Sequence, residues 1–413
     1  MTDSKLKIYL DFAATTPVDG DVFEKMKPYF LEKYGNPASI HSFGQEAQSA
    51  VESARNCVAD FLNCSAGEVI FTSGATESNN LAIKGVVKAH FLRFPNQKSH
   101  LIVSCIEHHC ILDSCKSLER DGLAEVTYLS VDKNGLIKLD ELDSAIKENT
   151  ILASVMYANN EVGAIQPIKQ IGDMLKDLNI KRQSSKILLH TDATQAINYL
   201  NCDVIGLGVD LLSLSGHKIY GPKGVGALFI KKGANITRMQ DGGGQEYNLR
   251  AGTLNVPGIV GLGEAITQIK SQESKIKIIE KLRNKLVNGV LDAIPDSFLN
   301  GSLNSNLPHI ANIMLSGAEG EAVLIALDLE GIAVSTASAC ASRSLKPSHV
   351  LTAMGLAGFE AHCSIRFSLG KQTTEAEIDK VLMVLPPIVE KIRKIGGAIS
   401  KKEQQRLPDD FGC

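Results

Sequence analysis

The chain has 413 residues, 44% of them hydrophobic and 22% charged, with a formal charge of -3. Without a basic excess it offers little electrostatic footing for nucleic acid. Neither the opening "MTDSKLKIYLDFAATTP" nor any later stretch has the uninterrupted apolar run of a secretory leader or a bilayer span, so no membrane association is expected. Two domains suit this length better than one core. Nine cysteines at irregular intervals in so long a chain read as reduced thiols of a cytoplasmic protein rather than a disulfide framework.

From about residue 66 short β-rich runs alternate with segments of helical periodicity: "EVIFTS", "HLIVSC", "EVTYLSV", "TILASVMYA", "SKILLHTDA", "VDLLSLS" and "GALFIK". These runs are apolar at nearly every position, as strands are when helices cover both faces of a mostly parallel sheet. The expected class is therefore α/β, and ligands should gather where the strands end. Beyond residue 265 the texture changes. "AITQIKSQESKIKIIEKLRNKLVNGVLDAI" reads as one long charged helix, with fewer strands and another helix near 374–396 behind it. The expected domains are a large one over 15–265 and a smaller α+β one from 1–14 and 266–400, with 401–413 a flexible polar tail.

Several strand ends carry reactive or charged groups. "TSGATESNN" places Ser73, Gly74, Ala75 and Thr76 where a strand turns into a helix, and small residues there let backbone N–H groups and a hydroxyl converge on an anion. An ordinary helix cap reads the same way. In "HTDATQ", Asp192 ends an apolar run and needs a cationic partner, either an internal salt bridge or the protonated ring nitrogen of pyridoxal phosphate (PLP). "SGHKIYG" sets Ser215 and His217, two groups able to hold phosphate, beside Lys218, whose amine would be activated by burial at a strand end. Each signal is weak alone. Together they outweigh the surface-lysine reading.

"CIEHHC" supplies His108 and His109, of which His108 suits acid–base work above a planar ring. The spacing of Cys105, Cys110 and Cys115 matches no usual zinc pattern, so packing is favoured over metal binding. "YANNEVG" offers the amides of Asn159 and Asn160 for a phenolic oxygen or a carboxylate, or else simply a turn. Arg366 in "CSIRFSLG" should hold a carboxylate, of the protein or of an amino-acid substrate. Cys340, among small polar residues in "VSTASACASRSLKPSHVL", has the surroundings of a reactive thiol rather than a packed one.

From "YLDFAATTP" through "YGNPASIHSFG", "FTSGATESNN", "NNEVGAIQPI", "HTDATQ", "SLSGHKIYGPKGVGAL", "RAGTLN" and "STASACAS" to "SIRFSLGKQTTEAEID", nearly the whole chain resembles the cysteine desulfurases. These are fold-type I PLP enzymes of iron–sulfur cluster assembly and thiolation. The resemblance implies a large domain with a mixed, mostly parallel seven-stranded sheet that binds PLP, and a smaller α+β domain carrying the cysteine. Lys218 would be the Schiff-base lysine, His108 would stack on the ring, Asp192 would pair with its nitrogen and Gln195 would meet the phenolic oxygen. Thr76 with Ala75, Ser215 and His217 would hold the phosphate. Thr253 would reach the phosphate of the neighbouring subunit in a homodimer, and Asn36, Asn160 and Arg366 would fix the substrate carboxylate, Asn160 also lying against the cofactor. Cys340 would take the sulfur of L-cysteine as a persulfide, with alanine leaving, and pass it to an acceptor protein. The long cysteine segment resembles the subgroup whose persulfide swings out. A selenocysteine lyase or aminotransferase would keep Lys218 and Asp192 without needing Cys340, and a non-catalytic scaffold would not need the full cofactor set.

Overall fold

The structure, a computed structural model, describes residues 7–182, 185–269, 273–336 and 346–397. The chain divides into two compact units. The large one comprises Ala13–Asn160 and Ala164–Ser274, and the small one Met1–Phe12, Glu161–Gly163 and Lys275–Cys413. Of the long charged helix expected from residue 265, the described parts lie in the helices Val256–Ile269 and Glu273–Ala293. The first of these carries a buried face of Ile259, Leu262, Ala265 and Ile266 and stays with the large unit.

After β1 (Ile8–Tyr9) of the small unit, the large unit forms seven strands: β2 (Val69–Thr72), β3 (Ser99–Ser104), β4 (Ala124–Leu129), β5 (Thr150–Ser154), β6 (Leu188–Asp192), β7 (Leu211–Ser215) and β8 (Gly226–Ile230). Their order in the sheet is β2-β8-β7-β6-β5-β3-β4. The five strands from β4 to β7 run parallel, whereas β8 is antiparallel to both β7 and β2. All seven expected apolar runs are therefore strands of one sheet. Every residue of β2, β3, β5, β6, β7 and β8 is buried, which explains their lack of apolar/polar alternation. Polar groups inside the sheet are satisfied across strands: the His190 ring of β6 joins Ser154 of β5 at 2.8 Å and Ser213 of β7 at 3.0 Å.

The sheet reverses direction at β3, with β4 on one side and β5 on the other. Chains leaving the carboxyl ends of β3 and β5 therefore diverge, and the crevice between them is where an open α/β sheet receives its ligand. The helices of this unit that bear on the site include α1 (Ser42–Leu62), α2 (Ala75–Arg93), α3 (His109–Arg120) and α4 (Ile168–Lys181). α2 starts directly from β2 through Gly74, whose φ of +147° favours glycine. Gly226 of β8 lies beneath that turn, and a Cβ there would sit 2.7 Å from Gly74 Cα and 2.5 Å from the Leu214 carbonyl oxygen. Backbone meets backbone at this point, and no side chain fits between.

In the small unit, β1 pairs in parallel with β11 (Ile332–Ala333), and a four-stranded antiparallel sheet is ordered β12-β13-β10-β9, where β9 is Ser297–Leu299, β10 Ile310–Leu315, β12 Ser335–Thr336 and β13 Ser364–Ser368. Its core joins Leu10, Leu286, Ile313, Leu327, Ile365, Phe367, Ile378 and Leu385, and each such buried side chain contributes roughly 1.5–3 kcal/mol. Among the described residues no helix is long and apolar enough to cross a membrane.

Candidate active site

Four strand ends of the large unit present the chemistry. β7 ends in a tight turn, Gly216–Lys218, that carries His217 and Lys218 out of the sheet. The Lys218 ammonium is half-buried and donates to the carbonyl oxygens of Ala13, at 2.5 Å, and Ala14, at 2.7 Å. Gln195 donates to the same Ala13 oxygen at 2.9 Å. The "FAATTP" segment is thus the seat of the lysine. Thr15 and Thr16 extend it, through a Thr15 hydroxyl to His217 Nδ1 contact of 3.1 Å and a Thr16 hydroxyl bonded to the His217 carbonyl.

Asp192 terminates β6 with 6% of its surface exposed. It accepts from Asn79 Nδ2 at 2.7 Å and from the Thr194 N–H at 2.9 Å, and no lysine or arginine is ion-paired with it among the described residues. The internal salt bridge that the sequence left open is absent from this described set. A buried carboxylate held only by neutral donors suits a cationic ligand atom.

His108 caps the start of α3 with its Nδ1, which accepts from the Cys110 N–H at 3.2 Å. The neutral ring therefore carries its proton on Nε2. Burial lowers its pKa, opposed by Asp192 and reinforced by Lys218. His217 is driven further down, to about 4, by burial and by Lys218 and Lys223. At neutral pH both rings are uncharged, able to donate and accept but adding no repulsion to Lys218.

The start of α2 has no side-chain cap bond, although its helix is 19 residues long. Its first N–H groups, around Ala75 and Thr76, are left to whatever anion arrives. Ser215 borders this end, since its Oγ would be 3.6 Å from a Cβ built on Gly74. Glu77 in the same first turn is drawn away from the anion position. Its carboxylate is partly buried, but hydrogen bonds from Ser73 and Arg250 lower its pKa, and Arg250 Nε lies 2.9 Å from Oε1. Taken together, an uncapped helix start with Ser215 and His217, a lysine amine and a cation-seeking carboxylate fit phosphate, aldehyde and ring nitrogen of PLP.

Other expected residues lie elsewhere. Asn36 and Thr253 are exposed and line a separate cavity of about 390 Å³ with Arg55, Glu246 and Tyr247. Asn160 follows β5 and is half-buried, while the neighbouring Asn159 is fully buried and donates to the Ile106 carbonyl. Arg366 is in the small unit, where its Nη2 meets Asp11 Oδ1 at 2.8 Å on β13. Cys340 lies outside the described residues, as do Cys413 and the tail over 401–413. Asn79, Glu77, Arg250, Glu107 and Cys110 were not singled out for the site. Asn79 stood in plain view inside "TSGATESNN", one turn into a helix that starts at the site. A cavity of about 1150 Å³ contains none of the expected residues and opens among Lys186, Asp210, Glu68 and Phe229, at the opposite ends of the strands.

An α/β sheet with an anion cradle, a lysine and a buried carboxylate at its strand ends defines a PLP-type transferase. The class-V aminotransferase family model matches residues 8–381, and the chain belongs to that family. It is 47% identical over 392 residues to the cysteine desulfurase IscS of Dictyoglomus turgidum, covering 95% of this chain and 96% of that one. Among solved structures, a NifS-like protein superposes with a TM-score of 0.85 at 39% identity, covering 94% of this chain and all of the other. SspA in complex with cysteine superposes with a TM-score of 0.77 at 37% identity, covering 89% and 100%.

Proposed function

We propose that this protein is a PLP-dependent cysteine desulfurase that converts L-cysteine to L-alanine and holds the sulfur as a persulfide on Cys340. The observation that carries the cofactor half of this reading is Asp192, buried beside the Lys218 strand end and held by neutral donors. PLP, when bound, supplies an aldehyde for the lysine amine and a ring that accepts the electron pair released at the substrate α-carbon.

The protein's own groups do the rest. Asp192 keeps the ring nitrogen protonated. Ser215, His217, Thr76 and the backbone N–H groups near Ala75 hold the phosphate. Gln195 would meet the phenolic oxygen of the bound cofactor, and Asn160 would lie against it. Lys218 would take the proton from the substrate α-carbon, and His108 would exchange a proton through Nε2. Asn36, Asn160 and Arg366 bind the substrate carboxylate. The Cys340 thiolate attacks the substrate sulfur, so that a sulfur–sulfur bond forms as the carbon–sulfur bond breaks. The methylene carbon keeps the electron pair, gains a proton and leaves as the methyl of alanine.

Delivery goes to an acceptor protein, a cluster scaffold or a sulfur carrier for tRNA thiolation, in the cytoplasm. Homodimerisation is part of the reading, with Thr253 serving the partner's phosphate. It is supported by exposed apolar side chains between residues 23 and 43, among them Leu31 and Ile40, and by the exposure of Thr253. The test is to incubate the holoenzyme with L-cysteine, assay alanine and map persulfide by mass spectrometry. Cys340→Ala should retain the cofactor's visible absorbance and lose sulfur release. Persulfide on another cysteine, or undiminished alanine in that variant, would overturn the assignment.

A further inference from the structure

The three cysteines of "CIEHHCILDSC" separate in the fold. Cys115 is sealed in the apolar cluster beside Leu118 and Ile111, and Cys105 closes β3. Cys110 is different. Its Sγ lies 3.0 Å from His108 Nδ1 and 3.2 Å from Asn79 Nδ2, and Thr76 adds a side-chain hydrogen bond to the thiol. The same Asn79 amide donates to Asp192 at 2.7 Å, so one continuous chain of contacts runs from Asp192 through Asn79 and Cys110 to His108.

The donors in that chain are fixed by their chemistry. Asn79 is fully buried, and its NH₂ must face the carboxylate, which leaves its Oδ1 with no partner. The sulfur therefore accepts from Asn79, and its single proton remains for His108 Nδ1. That nitrogen already accepts the Cys110 N–H. Two donors from one residue converge on one ring nitrogen.

We propose that Cys110 is a positioning residue for His108, its thiol proton holding the imidazole in the tautomer that carries hydrogen on Nε2 and opposing protonation at Nδ1. The proposal rests on the reading of His108 as the proton-exchanging group, but its geometry stands apart from that reading. Burial and the nearby Asp192 push the Cys110 thiol up to about 12, so it stays a donor through the neutral range. The titratable groups facing His108 are Asp192 at the end of β6, Lys218 after β7, and Glu107, His109, Cys110 and Asp113 around the start of α3. Of these, Cys110 alone is hydrogen-bonded to the ring among the described contacts.

Histidine-labelled holoenzyme, with the His108 signal identified by its loss in His108→Gln, can be titrated by two-bond nitrogen–proton NMR, which reports tautomer and pKa together. Wild type should show the Nε2–H form. Cys110→Ala should raise the His108 pKa by roughly half a unit to one unit, the size of one lost hydrogen bond. Cys110→Ser, which keeps a donor, should restore the wild-type curve. An unchanged curve in Cys110→Ala, a serine variant that behaves like alanine, or an Nδ1–H ring in wild type would each overturn the proposal. Full desulfurase activity in His108→Gln would instead sink the role given to His108 and leave the tautomer result intact.

Discussion

Asp192 accepts two hydrogen bonds where a buried carboxylate could take four, and both come from neutral groups. Asp192→Asn should keep the shape and lose the charge. The cofactor should then bind more weakly and turnover should fall by roughly 100-fold or more, the cost of losing one charge-stabilising group. Absorbance titration with PLP and an alanine assay would check both. Glu107 is a second buried acid in this neighbourhood, with burial raising its pKa to about 8 while the Met156 N–H holds it at 2.7 Å. A raised pKa means that the folded state binds the proton more tightly than the unfolded chain. The stability this gives is complete below the ordinary carboxyl pKa and is lost as pH rises toward 8. Glu107→Gln should remove that slope, so that by pH 8–9 the variant gains on wild type by on the order of a few kcal/mol. Urea unfolding from pH 5 to 9 would show it, and parallel curves would exclude it. The strand-end positions of Lys218, Asp192 and His108 were legible in the sequence because reactive side chains are conspicuous directly after apolar runs. Asn79 was not, because its role depends on a partner 113 positions away and on which face of α2 it occupies.

Elements owe their placement here to a few buried contacts. Arg55 of α1 is held in a two-pronged ion pair with Glu246, at 2.7 and 2.9 Å, and Glu246 also accepts the Phe71 N–H of β2. That anchor sustains three consecutive residues with positive φ, Glu246, Tyr247 and Asn248, a conformation costing about 1–3 kcal/mol at each. Arg55→Leu would leave the Glu246 carboxylate buried and unpaired. It should destabilise the protein by about 3–5 kcal/mol, measurable by denaturant unfolding. Replacing both residues together by apolar ones should cost much less. The pair was invisible in the sequence because its members are 191 residues apart. The helix Glu375–Gly397 continues through Pro386 and Pro387 while Leu385 and Val389 remain buried.

For the molecule as a whole, the exposed apolar residues point to assembly. Leu31 is 81% and Ile40 92% exposed, and the proposed homodimer would cover them. Leu31→Asp with Ile40→Asp should shift the protein in light-scattering chromatography from a dimer to a single chain of 44.4 kDa, with loss of activity. A monomeric wild type would refute the shared site. Apolar runs buried on both faces, turn residues at their ends and a lysine, a carboxylate and a histidine just beyond them were enough to define the sheet and the class of cofactor, because burial and strand-end chemistry are local properties of residue type. Strand order, the left-handed Glu246–Asn248 segment and the Asn79 contact to Asp192 arise from contacts between positions far apart in the chain. No local pattern encodes them, since each depends on which surfaces folding brings within hydrogen-bond reach.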